Sequence, residues 1–309
     1  MRAALLRWYD ARHRKLPWRG ISDPYRTWVS EIMLQQTRVA AVLGHYRSFL
    51  RRFPTVRDLA GARESSVLAA WSGLGYYRRA RRLHRAARQI VRERGGVFPA
   101  SAEEWRKLPG IGRYTAAAIA SIAFAEPVAV VDGNVERILR RLFALHGAPP
   151  DGELWDLAAS LLSHERPGDF NQAMMELGAT VCLPGTPLCP QCPIARWCRT
   201  RGAGEAAPAG KRRRREIAYA LALRNGSVRL RQRPVTESLM PGMWELPAAA
   251  RNGVRPAAVF RHSITTTDYR VRVIRAPSRS GQWVPLRRLS RLPLTGLTRK
   301  ILRHFQIIQ

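Results

Sequence analysis

Apolar positions recur at helical spacing through most of the first 200 residues. The pattern predicts helices over 23–43, 55–74, 77–95, 101–110, 112–125, 131–147 and 153–165, separated by short Gly or Pro breaks. In the first of these, Val29, Ile32, Met33, Val39, Ala40 and Leu43 form an apolar stripe after a plausible Asp23-Pro24 start. Glu31 lies beside that stripe, one turn from Trp28 and from Leu34. A carboxylate there is either a solvated helix edge or a group placed for chemistry. No convincing strand pattern occurs before residue 200. Residues 200–216, rich in Ala, Gly, Pro and charge, then read as a flexible linker. Beyond them the period shortens. Residues 217–233 read as strand, Asn225-Gly226 turn, strand, and 259–276 and 281–289 are also strand-rich. Residues 294–306 return to a helical pattern.

The chain has 309 residues, with no apolar run long enough to span a membrane. Its N-terminus is too charged for a secretory signal, so a soluble, cytoplasmic protein is expected. Net charge is +31, from 53 basic and 22 acidic residues. Both parts are basic: 30 against 17 in residues 1–200 gives +13, and 23 against 5 in residues 201–309 gives +18. Such charge suits a polyanion, although all but four of the cations are Arg, a bias that genome composition alone can produce. The run Lys211 to Arg215 reads equally as a phosphate contact or as solvated charge.

All four Cys fall within seventeen residues, at 182, 189, 192 and 198. In an intracellular protein this clustering points to a metal site rather than disulfides. Four thiolates suit structural zinc or an iron–sulfur cluster, and the spacing alone does not choose. Pro109-Gly110-Ile111-Gly112 joins two helical patterns. It reads as an ordinary αα turn or as a hairpin whose backbone N–H groups meet a phosphate at a helix N-terminus. Asp132, directly after an apolar run, reads equally as a helix cap and as a catalytic acid.

Together and in order, "SEIMLQQT", "GLGYYRRARRL", "LPGIGRYTA", "VDGNV" and "FNQAMMELGATVC" leading into Cys-x6-Cys-x2-Cys-x5-Cys closely resemble the MutY family of adenine DNA glycosylases, in the helix–hairpin–helix superfamily. The resemblance is dense over residues 8–200. It implies a mainly α catalytic region, with a six-helix barrel at about 23–131 and a cluster domain from about 1–22 plus 132–200. A basic linker follows at 201–215, then a small α+β, Nudix-like domain at 216–309. It implies a 4Fe–4S cluster on Cys182, Cys189, Cys192 and Cys198. Glu31 would be the general acid, Asp132 the stabiliser or nucleophile, and Tyr114 and Asn134 their helpers. Arg19 matches an active-site position of some members. Leu34, Gln36 and Tyr76 match residues that wedge into the duplex or touch the lesion strand, and Gly110, Ile111 and Gly112 form the DNA-gripping hairpin. The implied partner is double-stranded DNA with adenine opposite 8-oxoguanine or guanine, bound by a monomer; a related mismatch glycosylase with another base choice, or a lesion-binding protein, is the alternative.

The residue types fit that chemistry. Breaking an N-glycosidic bond needs a proton on the leaving base, hence a carboxyl with a raised pKa, and a second carboxylate beside the cationic sugar. Endonuclease III-type enzymes carry a Schiff-base Lys two residues past the hairpin's last Gly. Tyr114 stands there, and the only Lys residues of this region are Lys15 and Lys107, so strong lyase activity is not expected. Thymine-mismatch enzymes share the Tyr but lack the Glu. In the C-terminal part, "VRLRQRPVTESLMPGMWELP" is similar to a Nudix strand, loop and turn, but "AAARNGVRPAAV" after it holds no acid. A lesion-reading module is expected rather than a pyrophosphatase. The family's Phe-Ser-His loop corresponds to Phe260-Arg261-His262-Ser263, with Arg departing from the pattern; His262 alternatively reads as a packed strand residue.

Overall fold

The computed structural model describes residues 1–147, 149–201, 213–237, 239–250, 254–264 and 267–308. Most of the expected linker, 202–212 with Lys211, lies outside the described residues. No helix among the described residues is long and apolar enough to cross a membrane. Contacts divide the chain into two compact units: Met1–Ala60 with Arg85–Pro208, and Gly61–His84 with Ala209–Gln309.

The first unit is helical. Its elements include α1 (Arg2–Arg12), α2 (Pro24–Leu34), α3 (Val39–Arg52), α7 (Ala102–Arg106), α8 (Arg113–Phe124), α9 (Gly133–Phe143), α10 (Asp151–Leu161) and α11 (Pro167–Thr180). Two helices organise it: α8 packs on α2, α7 and α11, and α11 also packs on α1 and α9. Their sequences explain why. Every residue of α8 from Thr115 to Ser121 is buried, five of the seven being Ala or Ser, so helices approach it closely from several sides. In α11, a Cβ on Gly168 would meet the Ser121 carbonyl oxygen at 2.5 Å, and one on Gly178 would meet Asn134 Cβ at 2.5 Å. Only glycine permits either approach. Trp28 and Trp105, with ring centroids 5.6 Å apart, pin α2 to α7 beside Phe98.

The single helix expected over 23–43 is two helices. The chain leaves α2 at Gln35, and Gln36 takes a left-handed conformation, φ 54°. The break resets the helical phase, so Val42, Tyr46 and Phe49 carry the buried face of α3, while Ala40 of the expected stripe is exposed. The pattern over 55–74 likewise divides, into α4 (Val56–Gly61) and α5 (Glu64–Trp71).

Among the described residues the second unit holds two sheets. In one, β1 (Arg213–Ala220) lies parallel to β6 (Thr267–Ile274), which pairs antiparallel with β5 (Ala258–Ile264). In the other, β3 (Ser227–Gln232) pairs antiparallel with β2 (Leu223–Arg224), β4 (Trp244–Glu245) and β7 (Gln282–Pro285). Asn225 and Gly226 both have positive φ, as the expected two-residue hairpin turn requires. Val228, Leu230, Leu246, Val271, Val273 and Ile301 form the core, closed by α12 (Gly296–His304) with Thr295 as its cap. Two boundaries differ from expectation. Arg213–Arg215 belong to β1 rather than the linker, because Arg213, Arg214 and Arg215 pair with Thr267, Asp268 and Tyr269. Residues 61–84, expected within the barrel, group with the C-terminal residues, to which they are hydrogen bonded through Ser72, Tyr77 and Arg81.

Candidate active site

Asp23 caps α2 through Arg26 N–H at 3.1 Å, and the helix buries Trp28, Val29, Ile32 and Met33. Glu31 goes down with them, only 6% exposed. Its partner comes from the first turn of α8: Tyr114 Oη donates to Glu31 Oε2 at 2.8 Å and also touches Met175 Sδ at 3.1 Å. Burial pushes the Glu31 carboxyl up to about 7; the Tyr114 bond opposes this, the Asp132 charge adds to it and Arg19 subtracts. Burial, and then the charges of Glu31 and Asp132, hold the Tyr114 hydroxyl well above its ordinary value, so it stays a neutral donor.

Asp132 follows a segment fastened by Asn171, which donates to the Val128 carbonyl at 2.8 Å and accepts from Val130 N–H at 3.3 Å. Asp132 does cap α9: Oδ1 accepts from the N–H groups of Asn134, 2.9 Å, and Val135, 2.8 Å. Oδ2 takes, among the described residues, only the Asn134 side-chain amide, at 3.0 Å, and retains a lone pair. The cap therefore fixes the carboxylate without using it up. Asn134 is itself held by Arg137 at 2.9 Å and by the close approach of Gly178.

Arg19 donates to Glu176 Oε2 at 2.6 Å and to the Arg14 carbonyl at 3.1 Å. Glu176, 1% exposed, also accepts Arg14 N, Nε and Nη2 at 2.9, 2.8 and 2.7 Å. Burial would raise its carboxyl, but the bonds from Arg14 and Arg19 outweigh that and hold it at about 2. Sequence reasoning passed over Glu176. Its signal was the one that marked Glu31, a carboxylate inside an apolar helix.

Leu34, half-buried, ends α2 just before the exposed, left-handed Gln36. Gln35 Nε2 donates to Thr115 Oγ1 at 3.1 Å and ties this corner to α8. Tyr76, in the second unit, is also left-handed, φ 46°, and 42% exposed. Such a conformation costs a non-Gly residue about 1–3 kcal/mol and concentrates at functional sites. In the hairpin, Gly110 has φ 82° and Ile111 is buried as the anchor. Gly112 begins α8 with no side-chain cap and has nothing within 4 Å of where its Cβ would lie, so another backbone can approach. Lys107 is exposed and paired with Glu103 and Glu104.

The cysteine loop starts where α11 ends and folds back through Leu188 N–H to the Val181 carbonyl, 2.9 Å. All four thiols are free. Burial raises the Cys192 thiol, and the charges of Cys182, Cys198 and Cys189 add to that, so the four lie within electrostatic reach of one another. Arg141 donates to Cys182 Sγ at 3.3 Å and to the carbonyls of Leu183 and Gly185 at 2.8 and 3.0 Å. Among the described residues no three acidic, His or Cys side chains close on a point that would hold one ion.

Phe260, Arg261 and His262 lie on strand β5, paired with Val271, Arg270 and Tyr269 of β6, rather than on a loop. Phe260 and His262 are half-buried and Arg261 faces out. Lys300 donates to the Arg261 carbonyl at 3.0 Å, and burial, then the Lys300 charge, lower the His262 pKa.

Glu31, Tyr114, Asp132, Asn134 and Arg19 thus form one hydrogen-bonded and electrostatically linked group in the first unit, whereas Tyr76 and the β5 residues belong to the second. The model of the HhH-GPD superfamily of base excision DNA repair proteins matches residues 29–163. Human adenine DNA glycosylase is 51% identical over 214 residues, covering 65% of this chain and 39% of the human protein. The chain thus spans about two fifths of that relative's length. The adenine DNA glycosylase of Mycobacterium tuberculosis is 46% identical over 208 residues, 65% of this chain and 67% of that protein. The structure of a thermostable thymine-DNA glycosylase aligns with TM-score 0.61 at 29% identity, over 65% of this chain and 94% of its own. A buried Glu on α2, bonded to the helix that follows the hairpin, a capped Asp and a four-cysteine loop thus stand in a chain that belongs to the adenine DNA glycosylase family of helix–hairpin–helix base excision repair proteins.

Proposed function

We propose that this protein is a monofunctional DNA glycosylase that removes adenine mispaired with 8-oxoguanine or guanine, acting as a monomer on duplex DNA. The observation that carries the reading is Glu31: a buried carboxyl, pushed up to about 7, fixed by Tyr114 and accompanied by a second carboxylate, Asp132. At neutral pH a substantial share of Glu31 holds a proton, which is what a general acid needs. With adenine turned out of the stack, Glu31 gives its proton to N7 as the C1′–N9 bond breaks and the bonding electrons leave with the base. The sugar carries the positive charge, and Asp132, with its spare lone pair, stabilises that cation. Water adds at C1′, and its proton restores the acid. Tyr114 cannot form a Schiff base, so the product is an abasic site in an uncut strand.

Gly110, Ile111 and Gly112 would grip a phosphate at the start of α8, with Leu34, Gln36 and Tyr76 entering the duplex and Phe260, Arg261 and His262 facing the oxidised guanine. Cys182, Cys189, Cys192 and Cys198 would hold a 4Fe–4S cluster, which supplies a structural crosslink that orders the loop for docking on DNA.

The test is single-turnover cleavage of a duplex with one adenine opposite 8-oxoguanine, with and without alkali. Strand breaks only after alkali are expected. Breaks without alkali, or bound DNA with no product, would overturn the reading. Glu31→Gln should bind the duplex and leave adenine in place.

A further inference from the structure

The turn before α6 (Arg78–Arg94) has an unusual backbone. Gly73, Gly75 and Tyr76 all take positive φ, at 112°, 68° and 46°. The outcome is a reversal of fates for two adjacent tyrosines: Tyr77 is 3% exposed and Tyr76 is 42% exposed. Local bonds account for part of this. Trp71 Nε1 donates to the Gly75 carbonyl at 3.2 Å, and the Arg79 guanidinium lies over both the Trp71 and Tyr76 rings, 5.6 and 5.3 Å from their centres.

The remaining restraint comes from more than 200 residues away in sequence. The Leu294 carbonyl accepts from Ser72 Oγ at 2.6 Å and from Tyr77 Oη at 3.0 Å, so one buried oxygen holds both ends of the turn. Arg299 Nε donates to Ser72 Oγ at 3.1 Å. Leu294 is fixed in turn by β4, since Trp244 N–H donates to the Pro293 carbonyl and Thr295 N–H to the Trp244 carbonyl, both at 2.9 Å. Arg81 adds a bond to the Pro241 carbonyl at 2.5 Å. The "PGMWELP" segment, followed by a stretch without the acids of a hydrolase, thus has its own structural partner in residues 71–81.

We infer that Leu294, Arg299 and the Pro241–Trp244 turn form a clamp on Ser72, Tyr77 and Arg81 whose purpose is to hold Tyr76 outward in its left-handed conformation for stacking on a base beside the mismatch. The inference rests on the glycosylase reading above. It makes the C-terminal residues contribute to lesion discrimination indirectly, through Tyr76, in addition to any contact from β5. Ser72, Tyr77, Arg81 and Arg299 are positioning residues in this scheme; Tyr76 is the group that meets DNA.

The test compares four full-length, cluster-loaded proteins: wild type, Tyr76→Ala, the double variant Ser72→Ala/Tyr77→Phe, and all three changes together. Two readouts are taken on duplexes with adenine opposite 8-oxoguanine or guanine. One is the ratio of dissociation constants for the two duplexes. The other is the fluorescence of 2-aminopurine placed next to the oxidised guanine, which reports insertion and needs no excision. Tyr76→Ala should lower the ratio by about tenfold, the size of one base–aromatic stack. The double variant should lower it to a similar extent and lose the fluorescence change, and adding Tyr76→Ala should do nothing further. A double variant with the wild-type ratio and fluorescence change, or a triple variant showing the summed losses, would overturn the clamp. A wild type that binds but excises no adenine would count against the glycosylase reading alone, because the fluorescence change still judges the clamp. Should the double variant melt far below wild type, Arg81→Gln, on the half-buried edge of the same clamp, takes its place with the same expectation.

Discussion

Glu31→Gln should make the protein more stable and inactive, with a gain that depends on pH. Folding moves the Glu31 carboxyl from an ordinary value of 4.5 to about 7, chiefly by burial. A group whose folded pKa is raised contributes its stability fully below about 4.5 and loses it as pH climbs through about 7. That rise corresponds to about 3 kcal/mol. Gln has no charge to bury at any pH, and its oxygen can still accept the Tyr114 bond. The variant and wild type should therefore be equally stable near pH 4, diverge between pH 5 and 7, and differ by about 3 kcal/mol at pH 8 and above. For a helical unit of this size the difference corresponds to about 6–12 °C in melting temperature. Melting curves of both cluster-loaded proteins from pH 4 to 9 measure it. A stability difference that is absent at pH 8, or the same at every pH, would refute the claim that burial keeps this acid protonated.

The Tyr114 bond lowers the Glu31 pKa, so Tyr114→Phe should move the alkaline limb of the excision rate upward by about one pH unit; a limb that stays or moves down would contradict the arrangement. Glu176, held at about 2, has the opposite sign: its stabilisation is present above about 4.5 and lost as pH falls toward 2. Glu176→Gln should thus cost about 3 kcal/mol at pH 7 and nothing near pH 2, read from urea midpoints across that range. Gly178→Ala should cost about 1–3 kcal/mol, because the added methyl meets Asn134 Cβ. Gly112→Ala, with open space around it, should leave the melting temperature unchanged while weakening DNA binding, and equal affinity to wild type would count against backbone approach at the hairpin.

The sequence carried the local devices well. Asp23-Pro24, Asn225-Gly226 and the capping Asp132 all announce themselves within a few residues, because caps and turns are decided by short-range geometry. It was less informative wherever the deciding contact is distant. Val39, Ala40 and Leu43 continue the expected stripe of 23–43 beyond the polar Gln35 to Arg38, and nothing in the residue types reveals that the chain turns left-handed at Gln36. Glu176 looked inert because its partners Arg14 and Arg19 precede it by more than 150 residues. Residues 61–84 read as more of the helical region, since their amphipathic pattern shows that a face is buried without showing what buries it. The clustering of the four cysteines is plain in the sequence, but spacing alone does not choose between zinc and an iron–sulfur cluster, because both are held by four thiolates.

The clasp at Leu294 changes where this chain can be cut and rejoined. A protein engineer exchanging C-terminal parts among relatives would choose the linker near residue 210, where composition marks a seam. A graft made there takes the carbonyl and leaves behind the two hydroxyls that it accepts, so the recipient inherits half of a bonded unit with unmatched polar groups at its centre. The transferable module is discontinuous: residues 61–84 must travel with 209–309. Recombination between diverged copies of such a gene would meet the same constraint, and Ser72 and Tyr77 should therefore vary in step with the residues around 294 and 299 rather than with their neighbours along the chain.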